Sequence, residues 1–212
     1  IYKQKHYVER QPGAIRNSFR RLGVTLKNVK NEKKIFLFLL AFFFFIDGVY
    51  TIIDMATAYG TALGFDSTKL LLALLVTQIV AFPFAIIFGK LANCYKTERL
   101  IMICIGAYFG IAVFAIFLRE QWQFWILAVL VGMFQGGIQA LSRSYFAKII
   151  PPEKSGEYFG LMDICGKGAS FLGTTVISLI SQVTGHINIG VGSISLFFVI
   201  GMIMFRMAAA EK

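Results

Sequence analysis

The chain has 212 residues, of which 57% are hydrophobic and 15% are charged, and its net charge is +10. A soluble globular domain is about 45–50% apolar and needs more charge to cover its surface, so the composition indicates a membrane protein. Most of the basic excess lies outside the apolar stretches, which favours contact with anionic lipid headgroups over nucleic acid. With three cysteines, none in a CxxC pair, and two distant histidines, we expect no disulfide framework, metal or cofactor.

Six stretches are long enough and apolar enough to cross a bilayer, whose hydrocarbon core needs about 20 apolar residues. The sequence therefore predicts an all-α integral membrane protein with six transmembrane helices. The alternative is that some stretches are buried helices of a soluble protein, but their lengths and the loop charges argue against it. The predicted spans cover residues 35–61, 70–89, 100–118, 121–142, 158–182 and 187–205.

Basic residues fall on alternate loops and so predict the orientation of the spans. Eighteen of the 21 Lys and Arg lie on the side that holds both termini, and the opposite loops carry only Lys69 and Arg119. Because basic residues prefer the cytoplasmic side, we expect both termini to be cytoplasmic, in a multi-pass protein of a bacterial plasma membrane.

Residues 1–34 are predicted to form a unit separate from the transmembrane bundle of residues 35–212. This segment holds ten Lys and Arg, and its apolar residues recur at helical spacing from Ile15 to Val29. It fits a basic amphipathic helix on the membrane surface as well as it fits a disordered basic linker. The first residue is Ile1, and we expect the chain to be part of a longer protein.

The first span carries acidic side chains at membrane depth. Asp47, Tyr50 and Asp54 fall on one arc of the helix, together with Thr51 and Thr57. A charged group at the bilayer centre costs about 2.5–3.5 kcal/mol or more, so this arc is expected to face a bundle interior or a watery cavity. Asp47 and Asp54 then serve as a proton or cation site, or they accept hydrogen bonds from neighbouring helices, or they sit in water near the outer rim.

The fourth and fifth spans carry polar stripes of their own. Gln135, Gln139 and Arg143 recur every four residues and form a polar track, although glutamines often only join helices. In the fifth span, Asp163 and Lys167 have the spacing at which opposite charges pair on a helix, and Ser170 continues the stripe. Lys167 either pairs with Asp163 or meets an anionic group of a solute. Three polar faces together predict an aqueous pathway.

Glycines at GxxxG spacing predict close contacts between helices, because no Cβ keeps the backbones apart. Two such pairs lie wholly within predicted spans, Gly106 with Gly110 in the third and Gly132 with Gly136 in the fourth.

The loop between the second and third spans resembles a signature of the major facilitator superfamily, which reads glycine, any residue, leucine, alanine, aspartate and then basic residues around a second glycine. Asn93 stands in place of the aspartate and Lys96 in place of the second glycine. The matching residues are Gly89, Leu91, Ala92 and Arg99.

Longer segments resemble the vacuolar-effluxer-like branch of that superfamily, which includes the autophagy-related vacuolar amino-acid exporter of fungi. The matching segments are residues 45–49 with 58–60, 136–148 and 151–160. The resemblance covers the C-terminal six-helix half of a twelve-helix protein and places residues 1–34 in its central linker.

This resemblance implies two six-helix bundles around a central cavity, each built from inverted three-helix repeats. The partners implied are the N-terminal half of the same transporter, the lipid bilayer and a small-molecule solute, and a homodimer of this chain is also possible. It further implies a cytoplasmic gate formed by Gly89, Asn93, Arg99, Arg143, Glu153 and Asp163.

The leading functional hypothesis is one half of a secondary transporter that moves a small polar solute, amino acids among the candidates, by ion- or proton-coupled alternating access, in a direction that the sequence does not give. Its solute or ion pathway is predicted at Asp47, Tyr50, Asp54, Gln135, Gln139, Lys167 and Ser170. A receptor or scaffold with the same fold would need no polar pathway. A membrane-embedded enzyme fits least, because no HExxH or GxSxG motif is present.

Overall fold

The computed structural model describes residues 32–211, and this part of the chain is helical with no β-strand. The prediction for the basic segment before residue 32 lies outside the described residues. The helices are α1 (Lys33–Ala62), α2 (Ser67–Cys94), α3 (Thr97–Ile116), α4 (Gln121–Ile149), a 3-10 turn (Pro152–Lys154), α5 (Ser155–Gly168), α6 (Phe171–Thr184), α7 (Ile187–Ser193) and α8 (Ser195–Ala210).

These helices make six segments long and apolar enough to cross a membrane, as the sequence predicts. Helices α1 to α4 are one span each, residues 152–184 form the fifth and residues 187–210 form the sixth. A helix suits lipid because it satisfies its own backbone hydrogen bonds. The predicted fold class is therefore confirmed, that of a six-span half of a major facilitator superfamily fold.

The last two spans differ from the prediction because neither is one continuous helix. The fifth is interrupted at Ala169 and Ser170, between α5 and α6, and the sixth at Ile194, between α7 and α8. Hydropathy cannot detect these interruptions, because the residues on both sides of each break are apolar enough for a continuous membrane span.

Helix α1 lies at the centre of the bundle and packs along α8. A Cβ at Gly201 of α8 would lie 2.9 Å from the Cβ of Phe45, and one at Gly48 of α1 would lie 2.7 Å from the ring of Phe198. Only glycine permits this approach at the two positions. The two helices therefore form the rigid inner layer against which the other helices pack.

Helices α2 and α4 make the most extensive contact between two helices in residues 32–211. A Cβ at Gly132 would lie 2.6 Å from the carbonyl oxygen of Thr77, and one at Gly136 would lie 2.8 Å from the Cβ of Ala85. The predicted helix contact at this glycine pair is confirmed. Within residues 32–211 the close contact predicted at Gly106 and Gly110 is not found: a Cβ at Gly106 would meet Met202 of α8 at an ordinary 3.8 Å, and one at Gly110 would meet nothing within 4 Å.

Helices α5 and α6 lie on the other side of α1. Helix α5 packs mainly against α1, and α6 packs against α1 and α7. Because α5 does not pack closely on α4, a space remains between these two helices and α1.

Candidate functional site

A polar cavity of about 370 Å³ occupies the space between α1, α4 and α5. Two further cavities in the described part of the chain hold about 30 and 20 Å³ and have apolar walls. The polar cavity is therefore the candidate site. It is lined by Phe42, Ile46, Tyr50, Asp54, Gln139, Arg143, Met162, Asp163, Gly166, Lys167, Ala169 and Ser170.

Helix α1 gives the cavity one wall made of every fourth residue. Phe42 and Ile46 form its apolar part, and Tyr50 and Asp54 form its polar part. Residues spaced by four lie one above another on a helix, so this wall runs along α1 as a stripe. Asp54 is exposed, and no basic group in residues 32–211 lies within 4 Å of its carboxylate.

An ion pair joins α4 to α5 across the cavity. A guanidinium N–H of Arg143 donates to Asp163 Oδ1 at 2.6 Å, and the two side chains are 59% and 46% exposed. Asp163 therefore pairs with Arg143 on another helix and not with Lys167 on its own. The sequence had left pairing with Lys167 open, and spacing along one helix could not reveal a partner on α4.

Lys167 is exposed in the cavity wall, and no carboxylate in residues 32–211 lies within 4 Å of its ammonium group. Asp163 and Arg143 form an ion pair with each other. Neither Lys167 nor Asp54 has an ion-pair partner within residues 32–211. The cavity thus holds one positive and one negative side chain that are open to a further partner.

Asp47 does not line the cavity, although the sequence places it on the same arc as Asp54. It is completely buried, and its carboxylate accepts hydrogen bonds from the backbone N–H groups of Ser170 and Gly173, the latter at 3.0 Å. These N–H groups belong to the start of α6, where a helix has no internal acceptors for them. Asp47 therefore caps α6 from α1.

Ser170 lies at the break in the fifth span and reaches the cavity. Its φ is 76°, and it is the only non-glycine residue with positive φ in the described part of the chain. The sequence analysis missed this break. A signal was present, since Gly166 and Gly168 precede a serine, and glycines weaken a helix interior while serine favours a helix start.

Only part of the predicted polar track on α4 lines the cavity. Gln139 and Arg143 line it, but Gln135, one turn further along, does not. The Oε1 of Gln135 is buried and has no hydrogen-bond partner among the described residues.

The six residues expected to form a gate also divide into two groups. Arg143 and Asp163 meet in the ion pair, whereas Gly89 and Asn93 lie exposed near the end of α2. Arg99 and Glu153 are exposed as well, and neither these two nor Asn93 forms a side-chain hydrogen bond or ion pair within residues 32–211. The described residues include no group of three or more His, Cys, Asp and Glu that could hold a metal ion.

Known proteins resemble this chain over nearly all of it. The sequence profile of the family described as "Vacuole effluxer Atg22 like" matches residues 3–212. An uncharacterized MFS-type transporter, YxiO of Bacillus subtilis, is 46% identical over 208 residues, which cover 98% of this chain and 49% of that protein.

Fungal relatives are more distant. Autophagy-related protein 22-2 of Aspergillus niger is 26% identical over 92% of this chain and 35% of its own length. Autophagy-related protein 22 of Saccharomyces cerevisiae is 29% identical over 77% of this chain and 33% of its own length. The chain thus spans half or less of each of these relatives. With its six spans and its polar cavity, the chain is an integral multi-pass membrane protein that belongs to the vacuole effluxer Atg22-like family of the major facilitator superfamily.

Proposed function

We propose that this chain forms half of a secondary transporter that exports a small polar solute across a membrane by alternating access. The observation that carries the proposal is the cavity of about 370 Å³, which gathers charged and polar side chains within an apolar six-span bundle. Ionisable groups inside a membrane protein are costly, and they commonly mark the path of a solute or an ion.

The charges in the cavity favour a solute that carries charge of both signs. Lys167 and Asp54 lack ion-pair partners within residues 32–211, while Arg143 and Asp163 satisfy each other. A zwitterion such as an amino acid offers a carboxylate to Lys167 and an ammonium group to Asp54. Amino acids are therefore the first class of solute to test.

The partner we propose is the N-terminal six-helix half of the same transporter. Two facts support it: the chain spans about half the length of YxiO, and Lys167 and Asp54 are exposed on the open side of the cavity. A second half would close the cavity and exclude bulk water from the solute. A second copy of this chain is the alternative partner.

We further propose that flux is coupled to protons or another ion and that both termini are cytoplasmic, in a bacterial plasma membrane. The distribution of basic residues supports this orientation.

The test is uptake of labelled amino acids by proteoliposomes that contain the complete natural protein carrying this sequence. Lys167→Ala and Asp54→Asn should each lower the flux at least about tenfold, because a hydrogen bond to a charged group contributes about 1.5–3 kcal/mol. Lys154→Ala is the matched control, since Lys154 is exposed and lies outside the cavity. Wild-type flux in both cavity variants would exclude the site, and solute binding without flux would indicate a receptor.

A further inference from the structure

The two halves of the fifth span are anchored to the bundle in different ways. Helix α6 is held by a buried carboxylate, since Asp47 is completely buried and accepts N–H groups of Ser170 and Gly173. The polar contacts of helix α5 with other elements include the half-exposed Arg143–Asp163 pair and a hydrogen bond of 3.3 Å from Tyr158 to Glu32, and its side chains Tyr158, Leu161 and Met162 are buried. Exposed ion pairs contribute little, so the Arg143–Asp163 pair opposes a movement of α5 only weakly.

The capping contact also carries a charge. Within residues 32–211 no basic side chain lies within 4 Å of Asp47. The positive end of the α6 dipole, with its two N–H donors, is then what balances the buried carboxylate. Loss of that carboxylate would leave the α6 terminus without its acceptor in a site that water does not reach.

Close packing also holds the start of α6 against α1. Gly173 is buried, and a Cβ there would overlap the side chain of Thr51 on α1. Helix α6 is therefore seated directly on α1, one turn from Asp47. By contrast, a Cβ at Gly168, the last residue of α5, would meet no atom of residues 32–211 within 4 Å.

The backbone between the halves is in a conformation that serine rarely adopts. Ser170 has φ 76°, in the left-handed region, and such a residue persists only where its surroundings hold it. The bond from its N–H to Asp47 is the contact that holds it. If that contact is lost, Ser170 can relax and change the angle between α5 and α6.

We propose that the fifth span moves in two parts about a hinge at Ala169 and Ser170, and that Asp47 is the positioning residue that holds α6 on α1 and sets the angle of α5. The functional role of this hinge rests on the proposed transport function. The solute site itself remains the cavity wall, which Asp47 contacts only at the backbone N–H of Ser170.

The hinge would act on the cavity by separating the ion pair. Asp163 lies seven residues before Ser170, which is about 10 Å along a helix. A swing of about 20° therefore displaces Asp163 by roughly 3–4 Å, enough to separate it from Arg143. Lys167 lies only three residues from the hinge and moves much less, so the mouth opens while the positive charge stays in place.

Native cysteines provide the test. Cys165 lies on α5, five residues before the hinge, and is half-buried, whereas Cys104 of α3 is completely buried. The rate at which a water-soluble maleimide labels Cys165, read by peptide mass spectrometry on the complete protein in lipid nanodiscs, reports movement of α5. The rate at Cys104 reports unfolding of the whole bundle.

Asp47→Asn keeps the shape of the side chain and replaces one acceptor oxygen with an NH2 group, so one of the two N–H groups at the start of α6 loses its acceptor. We expect it to raise the labelling rate of Cys165 at least about fivefold with Cys104 unchanged, because the strained Ser170 is then held less firmly. In the flux assay it should change kcat more than KM, whereas Lys167→Ala should chiefly raise KM. Asp54→Asn, which lines the cavity but does not contact the hinge, should leave the Cys165 rate unchanged.

A folded Asp47→Asn protein with the wild-type Cys165 rate would overturn the hinge, whatever the flux. If that variant does not fold, Gly173→Ala, which pushes α6 away from Thr51 and keeps the carboxylate, must show the same selective rise. If neither variant folds, Asp47 is required for folding alone and the proposal is wrong. Absence of flux with the expected labelling change would reject the transport function and leave the hinge intact.

Discussion

The α2–α4 pair and the fifth span contrast within one bundle. Helices α2 and α4 meet backbone to backbone at Gly132 and are joined by the hydroxyl of Thr77, which donates to the carbonyl oxygen of Ala128 at 3.1 Å. The fifth span is broken, lines the polar cavity with its α5 half and ties that half to α4 by a half-exposed ion pair. The same apolar composition thus supports a closely packed helix pair on one side and a broken span beside a polar cavity on the other.

The difference shows where a membrane bundle tolerates polar groups. On the α2–α4 side, the Thr77 hydroxyl is bonded across the helix contact, so separating the helices would break that bond. On the α5 side, the polar groups face a space that a solute can fill, so a change of position exchanges one set of partners for another.

The largest expected effect on stability comes from removing the close approach in the rigid pair. Gly132→Ala places a Cβ 2.6 Å from a backbone oxygen, which cannot move aside easily, and should destabilise the protein by about 1–3 kcal/mol. Gly168→Ala in α5 is the matched control. Its Cβ meets nothing within 4 Å, so it should be neutral or slightly stabilising.

Thermal unfolding in detergent, monitored as loss of the monodisperse peak, measures the stability of both alanine variants. Equal unfolding midpoints for the two alanine variants would mean that the rigid and weak regions do not differ in packing.

A smaller effect is expected from the hydroxyl that joins the rigid pair. Thr77→Val removes its hydrogen bonds to Ala73 and Ala128 and should cost about 0.5–1.5 kcal/mol, the net contribution of a typical hydrogen bond. Thr175→Val in α6 is the control, since that hydroxyl bonds only to Phe171 within its own helix. The same unfolding assay compares the two variants. A larger loss of stability in Thr175→Val than in Thr77→Val would mean that the hydrogen bond between α2 and α4 is not the stronger contribution.

The smallest expected effect on stability is at the ion pair between the two regions. Both side chains are about half exposed, so a double-mutant cycle with Arg143→Gln and Asp163→Asn should give a coupling energy below about 1 kcal/mol. The same variants should nevertheless alter flux, if the pair closes the mouth of the cavity. A coupling energy of several kcal/mol would show that α5 is held as firmly as α2.

The sequence by itself determined the six spans and most of the polar lining of the cavity. Tyr50, Asp54, Gln139, Lys167 and Ser170 were all selected from helical spacing, and all of them lie in the cavity wall. This works because lipid requires a helix, and a helix with a fixed period assigns each residue to a face.

Only the tertiary structure decided which partner each polar group takes. Asp47 turned out to cap a helix start 123 residues away, and Asp163 to pair with Arg143 on a different helix. Hydropathy and spacing are properties of one segment, whereas these contacts depend on how each helix is rotated about its axis and which neighbour it packs against. The break at Ser170 belongs to the same class, because the carboxylate that holds it comes from another helix.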